Sequence, residues 1–175
     1  MKKSADRKEN RPMTAKITIL IIVLLAVAAG VVFPKGGRAL TVADDIDTKD
    51  ITEVYYTTAA STNPAVRKQY HFYMEGEQWW FFHESREGNH WPLTEKDIVS
   101  CGTAALSAED SAQFISCISG GKVTKRTDSA ESGSKGPWLY LYWKGDKGKY
   151  QQFSFADYSA QTAFEQLCAA LENKG

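Results

Sequence analysis

Residues 68–84 read KQYHFYMEGEQWWFFHE. Residues 68–74 and 78–84 are rich in aromatic and other strand-favouring side chains, and Glu75-Gly76-Glu77 separates them. Gly76 can take the positive φ that a tight turn demands, so the stretch predicts a β-hairpin. A hairpin makes its two strands antiparallel, and that sets the character of the whole sheet.

Working outward, residues 51–60 (ITEVYYTTAA) give a strand before this hairpin, with the turn signal Asn63-Pro64 between them. Residues 85–92 read as a loop. Residues 93–105 are ambiguous: Thr94 with Asp97 can cap a short helix, while Ile98-Val99 suits a strand end. Ser107 with Asp110 resembles a capping box, and Gly120-Gly121 a stop. Phe114, Ile115 and Ile118 make the intervening helix apolar on one face. Residues 121–137 are polar and of low complexity, which predicts a mobile loop. A second hairpin follows, with strands 138–143 and 149–155 around Gly145-Asp146-Lys147-Gly148. Ser159 can cap a last helix. Its stripe is Phe164, Leu167, Cys168 and Leu171, with Glu165 and Glu172 facing water. The order is β-β-β-α-β-β-α. It predicts an α+β domain, an antiparallel sheet of about five strands with two helices on one face.

Residues 17–33 (ITILIIVLLAVAAGVVF) contain no charge. As a helix they would be roughly 25 Å long, near the hydrocarbon thickness of a bilayer. Residues 1–16 carry six Lys/Arg against two acidic side chains, a net of +4, leaving −4 for residues 34–175. Basic flanks stay cytoplasmic. The expected organisation is therefore a cytoplasmic arm (1–16), a transmembrane helix (17–33), a tether (34–50) and an extracytoplasmic domain (51–173). A signal peptide cleaved after Ala26-Val27-Ala28 is the alternative, and it would secrete the same domain. The layout resembles small anchored surface proteins of Gram-positive bacteria, without any diagnostic motif. A mildly acidic domain gives no reason to expect nucleic acid as partner.

Aromatic density is the unusual feature. Strand side chains alternate, so Leu139, Leu141 and Trp143 share one face and Trp138, Tyr140 and Tyr142 the other. The aliphatic side, joined by Phe153 and Phe155, suits the core. The other side presents a Trp/Tyr row, extended by Trp80 and Phe82, as a candidate face for an envelope protein or a glycan. The competing reading is that loops or the tether cover this row as a second small core.

The residue types that carry catalysis are sparse. His71, His83 and His90 show no helical metal-binding spacing, and the three cysteines no zinc pattern, so no metal or cofactor is expected. Cys117 and Cys168, on the two helices, are the pair to consider for a disulfide in an oxidising compartment. The expected function is a non-catalytic binding, sensing or assembly module of the cell envelope. The alternatives are an envelope enzyme using His83, His90 or Cys101, and a structural subunit of a membrane complex.

Overall fold

The computed structural model describes residues 39–126, 136–144 and 150–174. The basic arm, the apolar segment 17–33, residues 34–38, most of the low-complexity stretch (127–135) and the turn 145–149 lie outside the described residues. Among the described residues no helix is long and apolar enough to cross a membrane.

The domain is α+β, as its pattern predicts, but among the described residues the sheet has seven strands rather than about five. They are β1 (Ile51–Ala60), β2 (Ala65–Glu75), β3 (Gln78–Gly88), β4 (Ile98–Ala105), β5 (Val123–Lys125), β6 (Trp138–Trp143) and β7 (Gln151–Phe155). All neighbours are antiparallel, in the order β4-β3-β2-β1-β6-β7-β5. The first hairpin closes at the pair Glu75–Gln78, with Gly76 at φ +63°, the conformation its lack of a Cβ permits.

The two additional strands come from stretches with weak local signals. In 93–105 both halves of the ambiguity are realised in turn. A 3-10 turn, Glu95–Asp97, is capped by Thr94, and β4 follows it. Ser, Gly and Ala dominate β4, so its extended form comes from pairing with β3 rather than from propensity. β5 occupies the start of the expected loop because β7 offers it a ladder.

Helices α1 (Ala108–Ile118) and α2 (Tyr158–Glu172) pack on one face. Ser107 caps α1 by accepting the Asp110 N–H at 3.0 Å. For α2 the cap is Asp157 rather than Ser159: its Oδ1 accepts the Ala160 N–H at 2.8 Å and the Ser159 hydroxyl at 2.6 Å. A carboxylate at a helix N-terminus also meets the positive end of the dipole. The predicted stripe Phe164, Leu167, Cys168 and Leu171 is buried. Glu165 and Glu172 do not simply face water. Glu165 accepts the Tyr56 hydroxyl, and Glu172 pairs with Lys68 at 3.2 Å.

The helix side of the sheet buries Val54, Tyr56, Tyr70, Phe72, Phe81, Leu139, Leu141 and Phe153. Phe72, in the middle of the sheet, stacks on Phe114 of α1 with centroids 4.2 Å apart and also meets Phe164 of α2. Cys117 and Cys168, the pair considered for a disulfide, are free thiols here, both buried in this core. Burial raises both above the ordinary thiol value.

Residues 39–50 of the expected tether 34–50 belong to the domain instead. Val42 and Ile46 are buried, the Val42 N–H donates to the Val123 carbonyl, and the Lys125 N–H donates to the Leu40 carbonyl. Apolar side chains in a polar segment explain the difference: they find core to bury in, which composition alone does not reveal.

Candidate functional site: the second face of the sheet

Strand alternation in β6 is borne out by burial: Leu139, Leu141 and Trp143 are buried, while Trp138, Tyr140 and Tyr142 are half-buried on the opposite face. Register carries this second face across the sheet in three rows. The first runs Tyr142, Glu53, Tyr73, Trp80, Ala105. The second runs Tyr140, Tyr55, His71, Phe82, Thr103. The third runs Trp138, Thr57, Gln69, Glu84, Cys101. All five residues read as a candidate binding face therefore share one side of one sheet. Trp80 and Phe82 lie on β3, however, with β1 and β2 between them and the β6 trio.

The structure adds residues that sequence reasoning missed. Tyr55 stacks on His71 at 3.8 Å, and Tyr150, from beyond the β6–β7 turn, leans edge-on against Tyr55. Glu53 ties the cluster together, with His71 Nε2 3.0 Å from its Oε2 and the Tyr150 hydroxyl donating to the same oxygen. Two shallow grooves adjoin. One, of about 380 Å³, is lined by Tyr55, Thr57, Gln69, Tyr140 and Tyr150. The other, of about 340 Å³, is lined by Thr57, Ala59, Arg67, Trp91, Trp138 and Tyr140. Thr57 and Tyr140 belong to both, so the grooves form one track. At 59% exposure, Trp91 stands as its far wall. The signal for Glu53, Tyr55 and Thr57 was their own alternation in β1. It could be used only once β1 was known to pair with β6.

Charge on the track is uneven. Glu84 and Arg86 neutralise each other at 2.6 Å. Arg67 reaches only the Gln69 amide oxygen, at 3.4 Å, and has no carboxylate partner among the described residues. A guanidinium against aromatic walls can receive a planar anionic group in two parallel hydrogen bonds.

The residues of the enzyme alternative are not brought together. His83 faces the helices and is buried beside Gly102, whereas Cys101 belongs to the other face. His90 lies in a loop, bonded to Asp97 at 3.0 Å. Among the described residues no group of three or more His, Cys, Asp or Glu side chains could hold a metal ion.

Burial holds the His71 imidazole below its ordinary value, and the Glu53 carboxylate only partly opposes this. The folded state thus favours neutral His71. Stability should be level above the ordinary histidine value of about 6.5 and fall as pH drops through and below it. Thermal melts between pH 7.5 and 5 are expected to show that fall, and His71→Gln should flatten it. An unchanged slope in the variant would remove His71 as its source.

Comparison with known proteins finds no matching family model, no matching curated protein and no matching solved structure.

Proposed function

We propose that this protein is a membrane-anchored, extracytoplasmic, non-catalytic binding module of the cell envelope, and that its ligand is a saccharide chain lying along the aromatic track. The observation that carries the reading is the Trp138–Tyr140–Tyr55 surface, on the side of the sheet opposite both helices. Flat aromatic planes suit the apolar faces of sugar rings, and Thr57 and Gln69 supply hydrogen bonds between them. Paired strands have no backbone groups to spare on a sheet face, so a peptide there would have to bind through side chains alone. Arg67, with no carboxylate partner among the described residues, favours a saccharide bearing an acidic substituent. The anchor rests on residues 17–33 and the basic arm before them.

Titration of the full chain in detergent with a soluble oligogalacturonide, followed by tryptophan fluorescence, tests the site. Binding is expected. Trp138→Ala, or Tyr140→Ser with Tyr142→Ser, should weaken it about tenfold, as loss of one or two stacking contacts does. The melting temperature should move little. A large fall in melting temperature would mean these side chains are core, and equal binding of a neutral oligosaccharide would remove the role of Arg67. Protease added to whole cells should digest the domain; protection would invert the topology.

A further inference from the structure

An open sheet has two edges, and here they are treated differently. Beside β5 the edge is occupied: Leu40 and Val42 hydrogen-bond to Lys125 and Val123, and Thr41 bridges to Thr124. Beside β4, no described residue pairs with the outer edge.

The hydrogen-bond phase of β4 follows from one contact. The Leu106 N–H donates to the Trp79 carbonyl at 2.9 Å. Backbone groups alternate in direction along a strand, so Gly102 and Ala104 turn theirs toward β3. Cys101, Thr103 and Ala105 therefore turn their N–H and C=O groups outward. Natural edges are usually guarded by lysine, proline or inward charge. β4 reads IVSCGTAA and carries none of these. Its register shift against β3 is confined to its start, between Ser85 and Arg86. Val99, at the same end, is 61% exposed.

We propose that β4 pairs antiparallel with β4 of a second copy of this chain, about a two-fold axis near Cys101 and Gly102. Three features select a second copy. An uncharged strand opposed to itself sets no like charges face to face. The outward groups of Cys101 and Thr103 meet their equivalents in phase, which a two-fold axis requires. With the other edge covered, one edge left unpaired among the described residues closes the assembly at two and prevents a filament. Pairing sets Cys101 against Cys101 or Thr103 of the second copy. It also runs the aromatic faces of both copies along the same side of one continuous sheet. The inference does not depend on what that face binds.

Strand spacing and rise place the two Cys101 thiols within roughly 10 Å, on the same side of the joined sheet. The test treats the full chain in detergent, at about 10 µM, with bis-maleimidoethane and reads a denaturing gel. A covalent dimer is expected from the wild type and not from Cys101→Ser, since Cys117 and Cys168 are buried. Thr103→Lys should reduce the dimer at least tenfold, as should Ala105→Lys, with circular dichroism unchanged; Thr103→Val should retain it. A monomeric wild type by sedimentation velocity overturns the proposal. So does undiminished cross-linking in both folded lysine variants, which would place the contact elsewhere, such as in residues 17–33.

Discussion

Phe72→Ala is expected to cost about 3–5 kcal/mol, the range for emptying an aromatic site in a core. The ring is fully buried and stacks on Phe114 at 4.2 Å, while Phe81 lies 5.0 Å away and Phe164 5.6 Å. It therefore joins β2, β3 and both helices, and no single neighbour can move into its space without leaving another. A domain of this size commonly has only about 5–15 kcal/mol of stability in total, so the variant should be close to unfolding at physiological temperature. Denaturant titration followed by tryptophan fluorescence measures it. The adjacent residue provides the control. Tyr73 lies on the other face of the same strand and is half-buried, so Tyr73→Ala should cost about 1 kcal/mol. Equal costs for the pair would mean that the assignment of faces in β2 is wrong, because a shift of one residue exchanges them.

Gly102→Ala is the second large effect expected, and it probes the register of β4. Gly102 pairs with His83 on β3, and a Cβ at this position would lie 2.7 Å from His83 Nε2. His83 is buried, so its ring has little freedom to retreat. Overpacking of this kind costs about 1–3 kcal/mol, partly offset by the lower chain entropy of alanine in the unfolded state. His83→Ala removes the obstruction. In that background Gly102→Ala should become neutral or mildly stabilising, and a double-mutant cycle of melting temperatures would show the coupling. No coupling would mean that Gly102 does not lie against His83.

These two sites differ in how far the amino-acid order alone reveals them. The hairpin around Gly76 was legible because a turn residue between two alternating aromatic runs is a local signal. The two faces of β6 were legible for the same reason: Leu139 and Tyr140 differ by one position, and a period of two needs no knowledge of neighbours. The apolar stripe of α2 was equally plain, although its cap moved from Ser159 to Asp157. By contrast, β4 has no propensity that marks it, and Gly102 looks like a loop residue until His83 is seen beside it. Val42 and Ile46 looked like part of a tether until β5 was there to receive them.

The candidate site divides along the same line. Trp138, Tyr140 and Tyr142 could be assigned to one side from their own strand. That Tyr55 and Thr57 stand beside them, with Glu53 holding His71 and Tyr150, required the pairing of β1 with β6 far along the chain. Amino-acid order by itself determined the class of fold, the two hairpins, the helix stripes and the division of β6 into an apolar and a polar-aromatic side, because each follows from spacing within a few residues. Only the tertiary structure decided that the described residues form a seven-stranded sheet, that Arg67 lies beside Trp138, and that among those residues one edge is covered while the other has no partner. Those are relations between segments distant in sequence, and side-chain period contains no information about which strand becomes the neighbour of which.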